Sequence, residues 1–239
     1  PNFSPQNANK KYYGLIRASE ALQKSLNVPF VSLLQSYGYE RFFYEIKDFV
    51  GFDDEDYSKY GLSFILGTKE MSLEELTKLY LALANYGELA EISYLRDENL
   101  SIKAQMFSKG SAYLTLETMR ELKRVGVEEF NQKDKIVSWK TGTSYGRKDA
   151  WALGATPRYT LGVWVGNFTG EANANLYGVS VAGELFFELL GLLDDTNEEF
   201  TPSDDLMTLK IDSATGYRYD LPVNSSYANY PKNAKALRV

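Results

Sequence analysis

The stretch that most restricts how this chain can fold runs over residues 136–168. It reads Ile136-Val137-Ser138-Trp139-Lys140-Thr141-Gly142-Thr143-Ser144, then a polar turn over 145–149. Two more runs rich in apolar, β-branched and aromatic residues follow over 150–157 and 159–168, with Pro157-Arg158 making a reversal between them. This pattern predicts a three-stranded antiparallel meander with Lys140-Thr141-Gly142-Thr143 on its first strand. The tetrapeptide gathers an ammonium, two hydroxyls and a glycine, which suits reception of a carboxylate or an oxyanion. A glycine inside a strand weakens it, so Gly142 implies that another backbone or a ligand comes close at that point.

A second short signal lies far upstream. Ser25-Leu26-Asn27 sits between an amphipathic segment, 15–24, and a run over 28–37 that Pro29 opens as a residue in the first helical position would. Ser and Asn at such a junction also suit capping of the next helix. Both readings stand at this point.

Composition narrows the chemistry. At 239 residues the chain fits one domain with an extension, or two small ones, and can bury a sizeable core. A net charge of -6 with no polybasic face argues against nucleic acid or an anionic membrane surface as the main partner. There is no cysteine and no histidine, which excludes a disulfide framework, a thiol nucleophile, zinc-thiolate and imidazole metal sites, and Ser-His-Asp or Cys-His catalysis. Any acyl-transfer base is therefore a lysine or a carboxylate, and no metal or other cofactor is expected. Asp53-Asp54-Glu55-Asp56 lacks the glycine that a calcium loop needs and reads as a solvated loop. No uninterrupted apolar run reaches the ~18 residues of a membrane span, and the Leu- and Phe-rich segment 179–193 carries Glu184 and Glu188, as a packed amphipathic helix would.

Along the chain, residues 17–50 predict three helices, the third over 40–50 with Phe42, Phe43, Ile46, Phe49 and Val50 on one side and Gly51 as its stop. Ser72-Leu73-Glu74-Glu75 is a capping box, so a helix starts there, with Gly87 closing it as C′. Another helix is expected over about 113–125. Residues 194–199 form an acidic linker, and strand-like pieces broken by Pro202, Pro222 and Pro231 follow.

Ser25-x-Asn27 and Lys140-Thr141-Gly142, in this order, resemble the S-x-N and K-T-G motifs of the penicillin-recognising serine acyltransferases. The longer phrases 21–29, 140–154 and 159–166 are similar to the transpeptidase domain of class A penicillin-binding proteins of the 1C type. The resemblance implies an α+β fold of the β-lactamase/transpeptidase type, an antiparallel sheet flanked by helices, incomplete at the N-terminus. Domain boundaries follow: a truncated transpeptidase domain over 1–195, then a linker and the start of a small β-rich C-terminal extension over 196–239.

The function implied is that of a peptidoglycan D,D-transpeptidase, cross-linking stem peptides that end in D-Ala-D-Ala and binding β-lactams as decoys. Carried onto matching positions, Ser25 relays protons to the leaving group with the help of Lys140, and Asn27 binds the substrate's amide backbone. Lys140, Thr141 and Thr143 receive the terminal carboxylate beside Gly142, and the Thr143 N–H is one oxyanion donor. Ser25, Asn27 and Lys140 are expected on one groove, with the ammonium within roughly 4 Å of the serine hydroxyl.

One departure is plain: no serine is followed three residues later by lysine, so the family's S-x-x-K is absent. A fragment starting after the nucleophile is the expectation, inactive in acylation. It would keep three strands of the sheet and an open apolar trough, covered by the missing N-terminal segment or a second copy. The full-length protein is expected at the periplasmic face of a bacterial inner membrane, anchored there and carrying a glycosyltransferase domain. Alternatives are a non-catalytic recognition or scaffolding module of the cell-wall machinery, and a D,D-carboxypeptidase or β-lactamase relative.

Overall fold

The computed structural model of the protein describes residues 3–95, 102–122, 135–173, 176–194, 197–218 and 225–234. Three helices come first, α1 (Ala18–Gln23), α2 (Asn27–Tyr37) and α3 (Tyr39–Val50). On α3 the aromatic side turns inward: Phe43 is fully buried against Phe52 and Phe64, with Phe42, Ile46 and Val50 packed around them. Gly51, at φ 81°, ends the helix in the left-handed conformation a glycine adopts freely. The acidic loop that follows is occupied by its own neighbours. Asp54 accepts the Tyr60 hydroxyl at 2.5 Å and pairs with Lys59 and Lys69 at 3.0 and 3.2 Å, which together hold its carboxyl below the ordinary range.

Helix α4 (Leu73–Ala84) starts at the predicted capping box, with Ser72 Oγ accepting from Glu75 N at 3.1 Å and Glu75 Oε2 accepting from Ser72 N at 2.6 Å. Its end differs from expectation. Tyr86, not Gly87, holds the left-handed C′ position at φ 53°, and Gly87 comes one residue later, donating to Ala82 O at 2.7 Å. Glycine is needed there because a side chain would run into Phe107 O where the chain enters β1 (Glu88–Ala90), which pairs with β2 (Ile102–Gln105). Helix α5 (Lys109–Arg120) begins earlier than residue 113 because Ser108 caps it, accepting from Ser111 N at 3.2 Å. It ends at Arg120, with Glu121 as its cap, short of the expected end near 125; residues 123–125 lie outside the described residues.

The meander forms as predicted, antiparallel in the order β3 (Ser138–Thr143), β4 (Asp149–Ala155), β5 (Thr160–Gly166). Side-chain alternation gives the sheet two covered faces. On one, Val137, Trp139, Ala150 and Ala152 pack on Phe186, Phe187 and Leu190 of α6 (Glu184–Leu192). On the other, Ala155 joins Tyr113, Leu116 and Met119 of α5, while α4 lies against β5. Ser138, buried on that side, donates to Leu116 O at 2.7 Å and ties β3 to α5. The segment read as one helix over 179–193 splits into a π-helical turn, Gly178–Gly183, and then α6.

Beyond α6, β6 (Leu206–Asp212) and β7 (Ser225–Pro231) form a hairpin docked on α5. Residues 195 and 196 of the predicted linker, and Pro222, lie outside the described residues. Among the described residues, no helix is long and apolar enough to cross a membrane.

Candidate active site

The Lys140-Thr141-Gly142-Thr143 stretch occupies most of β3, an outer strand of the meander, and no other described strand pairs with its far side. Ser144 N donates to Asp149 O at 3.0 Å, toward β4. Successive N–H groups of a strand point in opposite directions, so the Thr143 N–H points out from the open edge. Thr141 and Thr143 share the face that packs on the π turn: the Thr143 hydroxyl oxygen accepts from Gly178 N at 2.9 Å. Lys140 and Gly142 point to the opposite face, where Gly142 lies across from Trp151.

A Cβ at Gly142 would meet only Trp151, at an ordinary 3.7 Å, so the space of its own missing side chain is not filled by backbone. The crowded glycine is Gly178, whose missing side chain lets the π turn press on Gly142 and Thr141. Sequence reasoning passed over Gly178; a lone glycine after an aromatic residue carried too little signal.

Lys140 is half-buried, its ammonium donating to Thr141 O at 2.9 Å. Burial lowers its pKa below the ordinary 10.5, with no carboxylate among the described residues contributing. A desolvated cation without an anionic partner is suited to an incoming carboxylate.

Ser25 is exposed and sits in the left-handed region at φ 51°. It occupies the C′ position of α1: Ser25 N donates to Leu22 O at 3.1 Å and Leu26 N to Ala21 O at 2.9 Å, a doubly bonded helix end that usually takes glycine. Asn27 does not cap α2. The cap is Leu26, with no side-chain bond, and Asn27 is the first helical residue, which puts Pro29 third. The capping acceptor comes from upstream instead: buried Asn7 accepts from Val28 N at 3.0 Å and donates to Lys11 O at 2.6 Å. Asn27 Nδ2 donates to Gln6 O at 2.9 Å. The 6–11 stretch thus props the Ser25-Asn27 junction, and nothing in its composition announced that.

The two motifs are joined through α5. Gln23, two residues before Ser25, donates to Thr118 O and Glu121 at 3.3 and 3.1 Å, while β3 hangs on Leu116 through Ser138. Ser25 and Lys140 share no hydrogen bond; Lys140 turns to Thr141 O and Asn27 to Gln6 O.

Residues 2–190 match the penicillin binding protein transpeptidase domain. The chain belongs to that family. Penicillin-binding protein 1C of Escherichia coli is 31% identical over 194 residues, covering 80% of this chain and 25% of that protein. Penicillin-binding protein 1A of Aquifex aeolicus is 30% identical over 176 residues, 69% of this chain and 24% of that protein. The transpeptidase domain described here therefore spans about a quarter of the length of these relatives. The crystal structure of penicillin-binding protein 1A from Haemophilus influenzae superposes with a TM-score of 0.76 at 16% identity, covering 99% of this chain and 43% of that one. The penicillin-binding protein PonA1 of Mycobacterium tuberculosis gives a TM-score of 0.66 at 20% identity over 91% of this chain and 65% of that one. At such identities the likeness is one of fold: α+β, with an antiparallel sheet between helices.

Proposed function

We propose that these 239 residues are the substrate-recognition part of a peptidoglycan D,D-transpeptidase. The observation that carries the reading is the open edge of β3, where an outward Thr143 N–H, the threonine hydroxyls and a Lys140 ammonium with no carboxylate partner among the described residues lie on four consecutive residues. An extended stem peptide would add to that edge as a further strand, its main chain paired with β3 and its terminal carboxylate near Lys140, Thr141 and Thr143. In the transfer, a serine hydroxyl attacks the penultimate D-Ala carbonyl, the C–N bond breaks, and D-Ala leaves as the amine after taking a proton. An amine of a neighbouring stem then displaces the serine. Ser25 would pass the proton, Asn27 would hold the substrate amide once released from Gln6 O, and the Thr143 N–H would face the oxyanion, a role worth about 3–4 kcal/mol where one such donor has been removed.

The serine and base of this reaction are not among the 239 residues, because no Ser-x-x-Lys occurs in them and no histidine can substitute. In this reading they come from other polypeptide of the same protein, which works at the periplasmic face of a bacterial inner membrane, anchored there and joined to a glycosyltransferase domain. β-Lactams would enter as mimics of D-Ala-D-Ala. The absence of Ser-x-x-Lys also favours a second reading, a recognition module without acylation chemistry.

Labelling with fluorescent penicillin tests both. The 239-residue chain should stay unlabelled, while a longer polypeptide that supplies Ser-x-x-Lys should label and lose labelling in Lys140→Ala. An adduct mapped to a serine of the 239-residue chain would refute the assignment of the nucleophile. A longer polypeptide that never labels would leave the recognition module as the surviving reading.

A further inference from the structure

We infer that Gly178 is a positioning residue for the carboxylate site: its N–H holds the Thr143 hydroxyl so that the hydroxyl proton faces the open edge of β3. This rests on the reading of Thr143 as a carboxylate ligand. Gly178 opens the π-helical turn Gly178–Gly183, so its N–H is among the first of that turn and has no partner within it. Thr143 Oγ1 takes that donor at 2.9 Å. A hydroxyl has one proton and two acceptor lone pairs. With one lone pair filled from beneath by a rigid backbone donor, rotation of the hydroxyl is restricted and its proton is directed away from the turn. An incoming anion then meets a donor already oriented, without the cost of ordering it.

The packing allows no other residue in that place. A Cβ on Gly178 would overlap Gly142 O outright and stand 3.0 Å from the Gly142 carbonyl carbon and 3.2 Å from Thr141 Cβ. The turn is fixed from both ends. Ahead of it, Tyr177 lies under the Arg147 guanidinium, 4.4 Å from the ring centre; behind it, Gly183 packs beside Thr141 Cγ2, where a Cβ would be 3.8 Å away. A π-helical turn displaces the chain relative to an α-helix, and here the displacement brings a backbone N–H to a side chain of the binding strand.

The test is NMR on the 239-residue chain titrated with acetyl-D-Ala-D-Ala, reading the amides of Thr141, Thr143 and Gly178. Wild type should show saturable shifts at Thr141 and Thr143. Gly178→Ala should weaken that binding by about tenfold or more, with the near-UV signature of buried Trp139 retained. Unchanged binding in Gly178→Ala would overturn the inference. If that variant does not fold, Thr143→Ser and Thr143→Val decide: the Gly178 amide should keep its shift and exchange protection in Thr143→Ser and lose both in Thr143→Val. A Gly178 amide indifferent to Thr143→Val shows that the bond is not made, and the inference falls alone. A wild-type chain that ignores the peptide while its Gly178 amide still responds to Thr143→Val overturns the carboxylate reading, and the positioning role with it.

Discussion

Ser25 is held where glycine would be more comfortable. A left-handed residue with a side chain costs on the order of 1–3 kcal/mol, partly offset by the lower unfolded-state entropy of serine relative to glycine. Ser25→Gly is therefore expected to raise stability by about 0.5–1 kcal/mol in urea denaturation, and Ser25→Ala to give no such gain. In a polypeptide that also carries Ser-x-x-Lys, both variants should lose penicillin labelling; retention of labelling would remove Ser25 from the relay. Lys140 gives a pH signature. Burial lowers its folded pKa, so below that pKa the charged form is disfavoured in the folded state relative to the unfolded one. Between the lowered value and 10.5 the unfolded chain binds more protons, and stability rises with pH across that window. Lys140→Met should be more stable than wild type at pH 7, with the gap closing toward pH 10.5; a gap that does not change with pH would contradict the burial argument. Both residues were legible in the sequence as motif members. Their strain and desolvation were not, because each comes from the helix end or the sheet packing around the residue.

The helix α2 and its cap show how an element can depend on residues remote from it. From sequence, Ser25 or Asn27 suited the cap as one of two readings, yet the N–H of Val28 is satisfied by Asn7 across 21 positions. Asn7→Ala removes that acceptor and frees the Lys11 carbonyl, and is expected to cost about 2 kcal/mol, more than an exposed cap, because Asn7 is only 3% exposed. The same change should loosen the Ser25-Asn27 junction, which hydrogen exchange at Leu26 and Val28 would report; an effect below ~0.5 kcal/mol would show that water replaces the asparagine without loss. The strands and helices with strong periodicity and local caps, such as α3, α4 and the meander, were readable from residues within them. The cap of α2 and the π turn before α6 were not, since both depend on what lies opposite in space.

For the whole molecule, the sheet order leaves β5 with β4 on one side and no strand among the described residues on the other. Thr160–Gly166 is apolar and aromatic, with Trp164 backed by a 98% exposed Phe168. Unpaired edges of this kind recruit other strands. The 239-residue chain alone is expected to associate in a concentration-dependent way, visible by sedimentation or light scattering. A chain that stays monomeric to about millimolar concentration, with β5 amides exchanging slowly, would argue that its edge is already covered. What the sequence alone determined is the local chemistry: the meander, its Lys-Thr-Gly-Thr strand, the Ser-x-Asn junction and the family they belong to. All of these are written in contiguous residues, where strand period, turn residues and short motifs act over a few positions. Only the tertiary structure decided that the Thr143 hydroxyl rests on Gly178, that Lys140 is half-buried with no counter-ion among the described residues, and that Asn7 and Gln6 brace Ser25 and Asn27. Those contacts join residues 20 or more positions apart, and their energies arise from desolvation and close packing that exist only once the chain has folded.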